Sequence, residues 1–384
     1  MSTPETHVPF FDLHRLYLEQ KAEIDAAALG ALGSGHYILG PRGKAFEEAM
    51  AASLGGSGQV IGCNSGTDAL VLPLRAAGVG ARRGAAPPEA EVITVAHTAI
   101  PTITAIRASG GTPVFVDVDA DTWLLDAKKA LAAVTERTRA IIVVHLYGAM
   151  GPVDELVEGL KKMGRADVAV IEDCAQAQGA SKHGRAAGTL ARFGSFSFYP
   201  TKNVGCIGDG GAVHAGDPAD AERLRWLRNY GQKDRYNAQV EGGMNSRLDE
   251  VQAAILSVRL PKLREWNARK ETMVARYRRE LGGLPLTFQK VAEGVVPAWH
   301  LCVVATDAGP TRDRLQAELT GRGVQTLIHY PHPAHTQPAF APYRREALPV
   351  TESLAARILS LPMNPTLSQK EQDLVIRSVK EFFR

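Results

Sequence analysis

A single lysine, Lys202, lies between hydroxyl and aromatic residues and a run of glycines in SFSFYPTKNVGCIGDGGAV, residues 195–213. A partly desolvated lysine has a depressed pKa, and its neutral amine can form a Schiff base with a carbonyl. Ser197 and Thr201 put hydroxyls beside it, and Gly205, Gly208, Gly210 and Gly211 let backbone come close. Alone, Lys202 could equally be a surface lysine in a glycine-rich loop. A second stretch, GCNSGTDAL (62–70), reads as a strand, a turn of small residues and a helix start. Ser65, Gly66 and Thr67 would present N–H groups and a hydroxyl there, which suits a phosphate. The plainer alternative is an N-cap by Ser65 or Thr67. A third stretch, VIEDCAQAQG (170–179), puts Glu172 and Asp173 at a strand end, with Gln176 following. An acid there could pair with a cationic ring nitrogen while Gln176 bonds a neighbouring oxygen, or it could simply cap a helix. Together, a phosphate cradle, an acid for a ring nitrogen and a Schiff-base lysine are what pyridoxal 5′-phosphate requires.

These residues need a scaffold that brings them to one place. VITVA (92–96), PVFVDVD (113–119), AIIVVHLYG (140–148), VAVIED (168–173) and SFSFY (195–199) read as buried strands. TDALVLPLRAAG, PTITAIRASG and DELVEGLKKMG read as helices between them. This alternation predicts an α/β fold with a mainly parallel sheet, whose ligands lie at the carboxyl ends of the strands. Pro73 falls inside the first helix and should kink it. After about residue 215 long amphipathic helices take over. DEVQAAILSVRLPKLREWNARKETMVARYRREL should break at Pro261, and a mixed α+β segment should follow, ending in a helix near 368–384. The expected division is therefore 1–260 and 261–384. ARRGAAPPEAE (81–91) reads as a solvated surface turn.

Composition narrows the function classes. Among 384 residues, 44 Lys and Arg face 41 Asp and Glu, a net charge of +3, so binding to nucleic acid by bulk charge is not expected. No run of apolar residues is long enough to span a membrane. MSTPETHVPFFDLHRLYLEQ lacks the pattern of a signal peptide. Cys63, Cys174, Cys206 and Cys302 are scattered, with no pair at zinc-site spacing. They read as reduced thiols of a cytoplasmic protein, and no metal site is expected.

The motifs NSGTDAL, FVDVD, VHLYG, EDCAQAQGA, SFYPTKNVGCIGDGGAV, LRNYGQ, NSRLDEVQAAIL and IHYPHPAH, spread nearly end to end, resemble those of the DegT/DnrJ/EryC1/StrS family of pyridoxal-phosphate-dependent sugar aminotransferases. The resemblance implies the aspartate aminotransferase-like architecture (fold type I), with a seven-stranded sheet in the large domain and a smaller C-terminal α+β domain. It implies that Lys202 holds the cofactor's aldehyde, that Asp173 partners the pyridine nitrogen and that Gln176 contacts the ring hydroxyl. Gly66, Thr67 and Ser197 resemble phosphate ligands, and His97 stands where an aromatic stacks on the ring. Asn245 resembles a phosphate ligand given by a second subunit, which implies a homodimer with a shared active site.

For substrate contacts the resemblance points to Tyr199, Arg247 and His329. Each has a plain alternative: a core tyrosine, a structural salt bridge, and packing in a Pro-rich turn. Leu124, Leu125 and Met244 depart from the family's usual residues. The implied reaction moves an amino group from L-glutamate to a nucleotide-linked, dTDP-type 3-keto-6-deoxy sugar. Alternatives are a 4-keto sugar nucleotide, a keto-cyclitol, or a non-catalytic sensor that only binds such ligands.

Overall fold

The computed structural model describes residues 7–80 and 90–384. Its main sheet has seven strands, in the order Gln59–Cys63, Gly211–Ala215, Phe193–Ser197, Ala169–Asp173, Thr138–Val144, Glu91–Val95 and Thr112–Val116. Only Gly211–Ala215 runs antiparallel to its neighbours; the other pairings are parallel. All five residues of Glu91–Val95, Ala169–Asp173 and Phe193–Ser197 are buried, which is why these segments are continuous apolar or small-residue runs rather than alternating ones. Helices Gly66–Ala76, Ile100–Ala108 and Val153–Lys162 pack against the sheet. The α/β architecture is the one that the alternation predicts.

Several boundaries differ from the reading of the sequence. AIIVVHLYG leaves the sheet after Val144, and residues 146–148 form a short turn in which Tyr147 has φ 63°. PVFVDVD ends as a strand at Val116, and SFSFY at Ser197. Gly211–Ala215 was hidden in the glycine run after Lys202, because Gly and Ala give no β-branched signal. Most of the 81–91 stretch lies outside the described residues, and Glu91 already belongs to a strand.

Pro73 does not end its helix, which continues to Ala76. A proline cannot donate to the carbonyl four residues back, here that of Ala69. The Ser195 hydroxyl donates to that carbonyl instead, at 2.6 Å. Pro261 does break the long helical stretch. Helix Glu250–Arg259 gives way to a short 3-10 turn, Leu260–Lys262, and a new helix runs from Leu263 to Leu281.

A second core gathers around Val274, Tyr277, Leu281, Val304, Leu315, Leu319, Val375 and Val379. It is built on a three-stranded antiparallel sheet with Cys302–Thr306 between Leu286–Phe288 and Ile358–Leu361. Val8, fully buried, belongs to this core and bridges Val324. Asp117, just beyond the Thr112–Val116 strand, ties the main sheet to a segment from late in the chain. Its carboxylate accepts from Val350 N–H at 3.0 Å, Thr351 N–H at 2.9 Å and the Thr351 hydroxyl at 2.8 Å, at the start of helix Pro349–Arg357.

Candidate active site

The residues singled out from the sequence gather at the carboxyl ends of neighbouring strands. His97 follows Glu91–Val95, Asp173 ends its own strand with Gln176 just beyond, and Ser197 ends Phe193–Ser197 with Lys202 in the loop that follows. Helix Gly66–Ala76 starts next to Ser197, since a Cβ on Gly66 would lie 2.4 Å from Ser197 Cβ. Gly211 is as tightly placed, with Ser65 O 2.3 Å from where its Cβ would be.

Ser65 caps this helix by accepting from Asp68 N–H at 3.1 Å. The capping alternative therefore holds for Ser65. The N–H groups of Gly66 and Thr67 find no acceptor among the described residues. They stand in the first turn of a helix, beside Ser197, where an anion is favoured. This cradle fits a phosphate, and a side chain at position 66 would fill it.

Glu172 and Asp173 part ways because successive strand residues face opposite sides. Glu172 is fully buried and accepts from the N–H groups of Gly188, Leu190 and Ala191 and pairs with His145 Nε2 at 3.0 Å. His145 Nδ1 accepts from Gly151 N–H, so the proton lies on Nε2 and is given to Glu172. With Cys174 these two groups cluster tightly enough for metal ligands, but the His145 nitrogens and Glu172 oxygens are already engaged by one another and by backbone N–H groups. Asp173 faces the site. Burial pushes its carboxyl above the usual range, opposed by Ala175 N–H, the Thr102 hydroxyl and the charge of Lys202. Of the two acids, Asp173 is the one available to a cationic ligand.

Lys202 is half-buried, and burial lowers its pKa to about 8 while Asp173 pulls it back up. No described residue bonds its amine. Near neutral pH a useful share of it is unprotonated, as attack on a carbonyl requires. The buried acid and the softened lysine together fit the ring nitrogen and aldehyde of pyridoxal phosphate.

Tyr147 was read only as part of a strand, yet it joins much of the site. Its N–H donates to Gln176 Oε1 at 2.7 Å, and its carbonyl accepts from His300 N–H at 2.8 Å. Its hydroxyl donates to the His329 carbonyl and lies 2.9 Å from His97 Nε2. The tyrosine proton is spent on His329, so His97 is the donor in that contact. His97 is neutral as well as buried, because burial lowers its pKa to about 4. Gln176 uses its amide on Tyr330, donating to the hydroxyl at 3.1 Å, and keeps one N–H unengaged by described residues.

His329 is brought near Lys202, whose charge, after burial, helps to lower its pKa to about 4. Its Nδ1 lies 2.8 Å from Ser360 Oγ. Tyr199 is 54% exposed, which overturns the core alternative. Arg247 makes no salt bridge among the described residues. Its guanidinium donates to Asn229 Oδ1 at 3.0 Å and lies over the Tyr230 ring. Asn245 is exposed, and its side chain has no hydrogen bond with a described residue. Among the described residues, no hydrogen bond or ion pair links either of them to Lys202.

Other site residues escaped the sequence reading. Asn203 is buried beside Lys202, donating to Asn267 and to Ala298 O and meeting His300 Nδ1 at 3.1 Å. Its position next to the lysine was the available signal. For Thr102 and His300 only the folded chain supplies one.

Residues 18–380 match the model of the DegT/DnrJ/EryC1/StrS aminotransferase family. The chain is 44% identical over 378 residues to the dTDP-3-amino-3,4,6-trideoxy-alpha-D-glucose transaminase of Streptomyces venezuelae, covering 98% of this chain and 96% of the relative. Its fold is similar to that of S. venezuelae DesV in complex with a ketimine intermediate, with a TM-score of 0.92, 44% identity and coverage of 100% and 99% of the two chains. It is also similar to NtdA from Bacillus subtilis with bound cofactor PMP, with a TM-score of 0.90, 28% identity and coverage of 100% of this chain and 86% of that one. Likeness of this extent decides the matter: the chain belongs to the DegT/DnrJ/EryC1/StrS aminotransferase family and is a pyridoxal-phosphate-dependent sugar aminotransferase.

Proposed function

We propose that the enzyme moves an amino group from L-glutamate to C3 of a dTDP-linked 3-keto-6-deoxy sugar. The observation that carries the chemistry is the placing of Lys202, softened to about 8 by burial, within the electrostatic reach of the buried Asp173. The choice of C3 and of dTDP rests on likeness to the S. venezuelae transaminase.

Each residue has a task in this reading. When bound, pyridoxal phosphate supplies the carbonyl that carries the amino group and a ring that withdraws electrons from the bond being broken. Lys202 Nζ holds that carbonyl at rest. With the cofactor and donor bound, its neutral amine would be placed to take the proton from the donor's α-carbon and later to give it back. The carboxylate of Asp173 keeps the proton on the ring nitrogen. Gly66 and Thr67 N–H groups and the Ser197 hydroxyl receive the phosphate. Gln176 offers its remaining N–H to the ring hydroxyl, and His97 lays an uncharged ring against the cofactor. Over the full cycle, L-glutamate and the keto sugar would become 2-oxoglutarate and the amino sugar, the water consumed in the first half being released in the second. Tyr199, Arg247 and His329 serve the sugar nucleotide.

Asn245, exposed and with a side chain that bonds no described residue, serves a second subunit's phosphate site, so the working enzyme is a homodimer. The chain divides functionally into 1–260 and 261–384, and the enzyme acts in the cytoplasm.

The test is the visible absorption spectrum of the protein with pyridoxal phosphate, before and after L-glutamate. A lysine-bound band that glutamate abolishes, and that a dTDP-linked 3-keto sugar restores, supports the proposal. Restoration by a 4-keto sugar alone moves the reaction to C4. A band that no amino donor changes would mean that the protein binds without exchanging, as a sensor does.

A further inference from the structure

Asp173 is held on both of its oxygens. Oδ1 accepts from Ala175 N–H at 3.2 Å, and Oδ2 accepts from the Thr102 hydroxyl at 3.0 Å. The Thr102 proton is thereby committed. In the 2.9 Å contact between Thr102 and Thr98 the donor must be the Thr98 hydroxyl. Both threonines are 2% exposed, so water does not compete for these bonds. The direction of donation is fixed along the chain from Thr98 to Thr102 to Asp173 Oδ2. Each Asp173 oxygen has only one donor and keeps a lone pair for a cation.

Thr102 lies in the first turn of helix Ile100–Ala108, behind the strand that ends near His97. Among the described residues, no hydrogen bond joins it to Lys202, Gly66, Thr67 or Ser197. Its hydroxyl bonds Thr98 and Asp173, and Asp173 is the only one of the two that faces the site.

We propose that Thr102, backed by Thr98, is a positioning residue that fixes the Asp173 carboxylate against the pyridine nitrogen of the cofactor. This rests on the pyridoxal-phosphate reading of the site. Without the Thr102 hydroxyl, Oδ2 would be buried with no donor from the protein. The carboxyl would then take up a proton or turn away, and the ring nitrogen would lose its counter-charge.

The test compares two ligands in equilibrium dialysis against cofactor-free protein. One is pyridoxal 5′-phosphate, and the other is its deaza analogue with carbon in place of the ring nitrogen. Thr102→Val should weaken the first by about 10-fold and the second by no more than about 2-fold. Thr102→Ser, which restores the hydroxyl, should bind both as the wild type does. Thr98→Val, one step removed, should weaken pyridoxal phosphate alone by about 2-fold. Equal weakening of both ligands by Thr102→Val would show a merely structural role and overturn the proposal. If that variant does not fold, wild-type binding by Thr98→Val overturns it instead. A wild type that binds neither ligand defeats the cofactor reading itself, a distinct result.

Discussion

Lys202 and Asp173 respond to the same burial in opposite senses. Desolvation pushes each toward its neutral form, lowering the lysine to about 8 and raising the acid, while their mutual attraction restores part of the charge. Capture of pyridoxal phosphate by the cofactor-free protein should therefore accelerate as pH rises through about 8, and stopped-flow absorbance will show whether it does. Lys202→Ala should give no lysine-bound band at any pH. His97 yields a second prediction. Its pKa is held at about 4 against an ordinary 6.5, so between those values the unfolded chain binds a proton that the folded chain does not. Stability must then fall as pH drops through that window, by up to about 3 kcal/mol from this residue. Denaturant melts of His97→Phe should show a shallower acid slope than the wild type. At this scale the sequence was legible where chemistry has few solutions, as at Lys202. The residues alone left Glu172 and Asp173 open and only the family resemblance singled out Asp173, because the facing of the strand is what separates a structural acid from one that meets a ligand.

Among the elements, helix Gly66–Ala76 shows how a local rule can be overridden. Pro73 predicts a kink, yet the helix persists because a strand residue serves the carbonyl that proline leaves without a donor. Ser195→Ala should cost about 2 kcal/mol by orphaning the Ala69 carbonyl. In a Pro73→Ala background, where a backbone N–H returns, the same change should cost less than about 1 kcal/mol. Urea unfolding of the four proteins tests this, and equal costs in both backgrounds would refute it. The buried parallel strands were readable as apolar runs, and Pro261 as a break. The Gly211–Ala215 strand was not readable, because its place in the sheet comes from its neighbours on both sides rather than from its own side chains. Tyr147 was missed for a similar reason. Its left-handed turn appears only once the strand before it has ended.

Across the whole molecule, ties join the main sheet and its loops to segments from late in the chain. Asp117 reaches from the main sheet to the start of helix Pro349–Arg357, and the Tyr147 hydroxyl reaches to the His329 carbonyl. Asp117→Ala should remove about 2–3 kcal/mol of stability, since three donors of Val350 and Thr351 lose their acceptor. Thermal unfolding measures the loss, and Asp117→Asn should recover part of it. The motifs around Lys202 could be read from the sequence because each is local. The ties could not, because Asp117 and Thr351 are far apart in the chain and join only when it has folded.

Val8 lies in the second core and bridges Val324, although almost all the other residues of that core come from beyond position 270. A segment made early in synthesis must therefore wait for one made late. While the ribosome is still elongating, Val8 has no partner, and the second core cannot close until the chain has emerged past Val324. The seven strands of the main sheet all lie between positions 59 and 215, although the core around them also takes Leu354 and Ile358 from late in the chain. Assembly is thus ordered in time: the strands that carry Asp173 and Ser197 can pair before Val324 and the segment bearing His329 have been made.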